Sequence, residues 1–153
     1  MEGKRIFEEQ KNISVEIAVH ISELDFALDE YLGGFERKDF FTFGDSKKRD
    51  KLYKQAYYRF MSGIAELLSS LEDSFAALSS LLISADEAAE LNMLSLIGAK
   101  LGAYRAFEES LKRFASATQS AISKDNISPA FLVSEARRLK LAIEELKRNI
   151  NNA

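Results

Sequence analysis

Between Leu52 and Ile83 the apolar residues Tyr53, Tyr57, Phe60, Ile64, Leu67, Leu71, Phe75, Leu78 and Leu82 recur at steps of three and four. That spacing draws one stripe down one face of a long α-helix, and a stripe of that length has to be buried against other helices. Three further segments carry the same signature. Helix one is expected from about Arg5 to Leu32, with Ile17, Ile21, Leu24, Leu28 and Tyr31 inward and Gly33-Gly34 as its stop. Ile13, Val15, Ile17, Val19 and Ile21 also alternate as a strand would. A strand needs a partner, and only Phe40 to Phe43 offers one, so the helical reading is preferred.

Helix two is expected to start at Asp45 or Ser46, either of which can cap it, and to run to Ile83. A capping box, Ser84-x-x-Glu87, then opens helix three, which reaches about Ser123. Its inner face carries Leu94, Ile97, Leu101, Tyr104, Leu111, Phe114 and Ile122. Lys124-Asp125-Asn126 breaks it, and Ser128-Pro129 is an N-cap followed by proline at the first helical position. Helix four places Leu132, Ala136, Leu139, Ile143, Leu146 and Ile150 on one side.

These elements predict an all-α fold with a single domain over residues 1–153. It is an antiparallel four-helix bundle with one long connection between helices one and two and a long hairpin of helices two and three. The aromatic connection Gly33 to Ser46 spans ~45 Å if extended, enough either to cross the bundle or to fold over one end. Helices two and three would each reach ~55 Å and helix four only ~33 Å. The hairpin tip from Leu71 to Ile97 therefore overhangs. It exposes Phe75, Leu78, Leu82, Leu91 and Leu94 unless helix one covers it, a helix bends near Ser69-Ser70 or Ser79-Ser80, or a second subunit does so. Self-association as a dimer or trimer through those five residues is the expectation carried forward.

Composition narrows the chemistry. There is no cysteine, which excludes disulfides and thiolate sites and suits a reducing, cytoplasmic setting. Met1 to Glu9 has no signal-like apolar run, and Phe75 to Ile83 is too short and serine-broken to span a membrane. One histidine, His20, cannot supply the paired Glu-x-x-His motifs of a di-iron bundle, so no metal or other cofactor is expected. No serine elbow, phosphate-binding glycine loop or dinucleotide fingerprint is present. Gly98, Gly102 and Ala106 form a small-residue row on helix three, read as a close helix–helix approach or a shelf for a flat ligand.

Charge is unevenly spread over a chain of net charge −3. Residues 36–59 hold eight basic and four acidic groups, whereas residues 60–99 hold six acidic and no basic ones. If the first connection folds over one end, Arg37, Lys38, Lys47, Lys48, Arg49, Lys51, Lys54, Arg113, Lys124, Arg137 and Arg138 gather there, beside the starts of helices two and four. With Phe40, Phe43, Tyr53, Tyr57 and Tyr58 nearby, such a pole suits a phosphate-bearing small molecule that also stacks a ring. The plainer reading is a solvated basic surface. The overall negative charge and the lack of a recognition helix speak against nucleic acid, and the acidic hairpin speaks against a membrane surface.

Two fragments carry a resemblance. Thr42-Phe43-Gly44-Asp45 leading into Lys47-Lys48 looks like the glycine–aspartate phosphate loop of ATP:cob(I)alamin adenosyltransferases, and Glu135-Ala136-Arg137-Arg138 is similar to that family's arginine-rich helical signature. The overall layout also resembles an uncharacterised archaeal family of four-helix proteins. The resemblance implies a helical, often trimeric enzyme that binds ATP near a subunit interface, with Lys47, Lys48, Arg137 and Arg138 on the phosphates. Two functions follow as expectations: a self-associating scaffold or binding module without a catalytic centre, or a nucleotide-binding transferase working at the basic pole.

Overall fold

A computed structural model describes residues 2–37, 40 and 44–152. It is an all-α bundle of α1 (Glu2–Glu36), α2 (Ser46–Glu87), α3 (Leu91–Ile122) and α4 (Pro129–Asn151). Each helix packs on its chain neighbour, α4 closes the ring on α1, and only α1 and α3 meet across the diagonal. Consecutive helices are therefore antiparallel. One buried column, from Ile6 and Ile17 through Leu24, Ile64, Leu71, Ile97 and Leu132 to Ile143, fills the interior. The alternation at Ile13 to Ile21 resolves as helix: Ile17 and Ile21 are fully buried, while Val15 and Val19 face outward.

Helix α1 does not stop at Gly33-Gly34. The Arg37 amide still donates to the Gly33 carbonyl at 2.9 Å, and the turn is held from outside the helix. Tyr31 stacks on Phe60 with ring centroids 5.2 Å apart, and Phe35 stacks on Tyr53 at 5.7 Å. Aromatic packing of this kind offsets the ~1 kcal/mol per glycine that favours a stop. The first connection thereby shortens to Arg37–Asp45, and its Phe40 packs on Phe35 and Tyr53. Asp45 caps α2, its Oδ1 accepting from the Lys48 amide at 3.0 Å, and Gly44 before it takes a φ of +88°.

The second turn also lies elsewhere than its sequence signal. Ser84 and Glu87 do not open α3; they belong to the last turn of α2, and the reversal occurs at Ala88–Glu90 with Ala89 at φ 54°. Ala85 is fully buried one turn beyond Leu81, so the buried stripe continues past the capping-box motif and the helix continues with it.

The chain itself buries part of the tip that was expected to overhang. Helix α1 starts at Glu2, and its first turn lies against the α2–α3 turn: a Cβ on Gly3 would stand 2.7 Å from the Glu90 carboxylate. Ile6 is fully buried there. Phe75 at 2% exposure and Leu78 at 0% sit in the core, so neither is open to a second copy. Leu82 and Leu94 are half-buried, and of the five candidates only Leu91 remains largely exposed, at 74%. Helix α2 runs unbroken through both serine pairs.

Helix α2 holds a stretch long and apolar enough to cross a membrane by length and composition alone. Leu71, Phe75, Leu78 and Leu81 of α2 are turned into the bundle, while Ile83 is 61% exposed. Gly98 and Gly102 are another correction: a Cβ on either would meet nothing within 4 Å, so no helix approaches the row.

Candidate functional site

The end of the bundle where α1 finishes and α2 and α4 begin is built around a carboxylate. Asp50, buried in the second turn of α2, accepts from the amides of Asn126 and Ile127, both at 3.1 Å. This ties the start of α2 to the α3–α4 turn and sets α4 beside it. Ser128 Oγ then caps α4, accepting from the Phe131 amide at 3.3 Å. Pro129 has no N–H, and the Leu132 amide bonds to the Ser128 carbonyl, so among the described residues the Ala130 amide is the one left over in the first turn of α4.

Between these elements lies an open groove of about 720 Å³. Phe35 and Phe40 line it from the end of α1 and the connection, Arg49 and Tyr53 from α2. From α4 come Pro129, Ala130, Val133, Ser134, Arg137, Arg138 and Leu141. Among the described residues, three arginines and no carboxylate appear in that lining. Phe35, Phe40 and Tyr53 form one aromatic ledge, with centroid separations of 4.9 Å for Phe35–Phe40 and 5.1 Å for Phe40–Tyr53. Burial raises the Tyr53 phenol above its ordinary pKa, against the pull of Arg49, so the hydroxyl stays neutral and available as a donor.

The arginines differ in what holds them. Arg138 lies 3.7 Å from the carboxylate of Glu135, one turn earlier and itself nearly buried. Arg49 is half-buried, and its Nε is fully enclosed with no hydrogen-bond partner among the described residues. A buried guanidinium N–H without an acceptor is destabilising by about 1–3 kcal/mol, more for a charged group, unless something from outside accepts it. Arg137 is exposed on the same groove. Planar guanidinium forks match the oxygens of phosphate or carboxylate, and an aromatic ledge beside them suits a ring.

Of the residues expected at a basic pole, the fold brings Arg49, Arg137 and Arg138 together. Lys47 and Lys48 stand on the first turn of α2, exposed and outside the groove. The Gly44-Asp45 pair of the phosphate-loop resemblance serves to start α2. Lys38, Thr42 and Phe43 lie outside the described residues. Tyr57 is buried in the core and Tyr58 is exposed on the far side of its turn. Val133, Ser134 and Leu141 were not legible as lining. Their signal is a second ladder at spacing four, Val133-Arg137-Leu141 beside Ala130-Ser134-Arg138, one position round from the buried stripe of α4.

His20 is half-buried, and among the described residues no three His, Cys, Asp or Glu side chains gather as a metal-binding group. No protein-family model, curated protein or solved structure matches this chain.

Proposed function

We propose that this chain is a binding module for a small phosphate-bearing molecule, taken up in the groove between α2 and α4. The observation that carries the reading is the enclosed Arg49 Nε, without an acceptor among the described residues, on a groove where those residues supply two further arginines and no carboxylate. An anion there would receive the free Arg49 N–H, the exposed fork of Arg137 and the leftover Ala130 amide, while a ring lies along Phe35, Phe40 and Tyr53. The lack of cysteine suits work in a reducing cytoplasm.

Thermal melts and calorimetry with ATP, ADP and inorganic phosphate test this. A ligand at 100 times its dissociation constant adds ~2.7 kcal/mol of stability. The double variant Arg49→Met, Arg137→Met should lose that gain, and Lys47→Ala with Lys48→Ala should keep nearly all of it. No shift with any of the three ligands removes the reading. The adenosyl-transfer alternative shares this ligand chemistry, and the resemblance stands behind it. Adding reduced cobalamin to the ATP-loaded protein and looking for the adenosylated product separates the two.

A second reading, a homo-oligomeric scaffold, now rests on a different face. Val15, Val19 and Phe26 on α1 are 61%, 53% and 67% exposed and follow one another at helical spacing. Analytical ultracentrifugation at tens of micromolar decides it, since a monomer there leaves the scaffold reading without support.

A further inference from the structure

Beside the last turn of α4 a lysine is buried. A groove of about 420 Å³ opens there, lined by α1, Lys100 of α3 and the last residues of α4. Its apolar lining is Phe7, Val15, Ala18, Val19 and Ile150. Its polar lining includes Gln10, Ser14 and Lys100, which are 1%, 7% and 2% exposed.

The Lys100 ammonium donates to Gln10 Oε1 at 3.0 Å and to Ser14 Oγ at 2.9 Å. Both acceptors are neutral, and the Ser14 hydroxyl turns toward the same Gln10 oxygen at 3.4 Å. An ammonium has three N–H donors, so one is left for a further acceptor, and the Gln10 amide nitrogen adds two more. Among the described residues the groove brings a second cation, Lys11, and no aspartate or glutamate. Burying a charge without a counter-ion is strongly unfavourable. Burial accordingly pushes the Lys100 pKa below the ordinary lysine value.

We infer that this groove binds an aliphatic monocarboxylate, with the carboxylate on Lys100 and Gln10 and the chain along Phe7, Val15 and Val19. The head group follows from the donor count. One ammonium N–H and a neutral amide match the two oxygens of a singly charged carboxylate, whereas a phosphate dianion needs more donors and more charge. The tail follows from the apolar lining and from a volume within the range of small-ligand sites.

Isothermal titration with hexanoate, octanoate and decanoate, and with 1-decanol as the uncharged control, tests this on the full chain. Affinity should tighten about fourfold for each added CH₂ that is buried, and decanol should bind at least about tenfold more weakly than decanoate, the loss of one charge-assisted contact. Lys100→Met removes the charge while keeping the bulk, and should abolish decanoate binding while raising the melting temperature. Gln10→Glu supplies a carboxylate from within the chain. It should also exclude decanoate, and it keeps the test valid should Lys100→Met fail to fold. Equal affinity for decanoate in wild type and either folded variant, equal affinity for decanol, or no binding of decanoate at about 1 mM overturns the assignment.

Discussion

Asp50 Oδ1 accepts the backbone amide of Ile127 at 3.1 Å, joining two positions 77 residues apart. Its other oxygen takes the Asn126 amide, so one carboxylate satisfies two donors of a turn whose Asn126 sits at φ 56°. Hydrogen bonds to charged groups are worth about 1.5–3 kcal/mol, and an orphaned buried amide is unfavourable in its own right. Asp50→Ala is expected to lower stability by about 2–3 kcal/mol in urea unfolding and Asp50→Asn by less. Because the turn sets α4 against α2, either change should also weaken phosphate-ligand binding at the groove.

The covered hairpin tip gives a second outcome. Phe75 stacks on Tyr104 with centroids 3.9 Å apart and planes 11° from parallel, and Leu78 has no exposed surface. Phe75→Ala should destabilise by about 3–5 kcal/mol and Leu78→Ala by about 2–5 kcal/mol. Sedimentation should show the same mass as wild type for whatever fraction stays folded. A change of mass at unchanged stability would mean that these residues serve an interface instead.

Two lysines should give opposite responses to alkali. Burial lowers the Lys100 pKa, so above its folded value the unfolded chain binds more protons, and stability rises with pH until the ordinary value of 10.5 is passed. Lys140 runs the other way. Burial alone would lower its pKa, but hydrogen bonds to Asp25 at 2.7 Å and Asp29 at 2.8 Å outweigh that and leave it raised. Its contribution is whole below 10.5 and is lost as pH climbs through the folded value. Tyr104, pushed up to about 12 chiefly by burial, also loses its contribution in alkali, as do Tyr31, Tyr53 and Tyr57. Difference curves isolate each lysine: wild type minus Lys100→Met should climb as pH approaches the ordinary value of 10.5 from below, and wild type minus Lys140→Met should fall as pH passes above it.

Gly98 and Gly102 lie in mid-helix with open space where a side chain would go. Replacing either by alanine should stabilise the fold by roughly 0.5–1 kcal/mol, seen as a higher urea midpoint at constant slope. Loss of stability would show that something packs on that row.

What could be read from the chain follows from what is local. Four helices, the Ser128-Pro129 start of α4 and the basic end of the bundle depend on periodicity, capping and charge count, all of which act over a few residues. The errors came where a local signal met a packing partner. Gly33-Gly34 and Ser84-x-x-Glu87 are honest stop and start motifs, yet Phe35 on Tyr53 and Ala85 in the core carry the helices through them. Lys100 escaped notice because it stands beside Ile97 and Leu101 in a stripe read from apolar residues alone. Gln10 and Ser14 continue the buried face of α1 in polar form for the same reason.

Hydrophobic period and turn chemistry alone determined that this protein is an antiparallel four-helix bundle, because a stripe at helical spacing must find another stripe whatever its partner. Tertiary structure alone decided that α1 packs on the hairpin tip, that Arg49 rather than Lys47 or Lys48 meets Arg137 and Arg138 on one groove, and that Lys100 is buried against Gln10 and Ser14. Those outcomes depend on which side chains from distant segments share a volume and on whether a charge there finds its opposite, and neither is a property of any short stretch of chain.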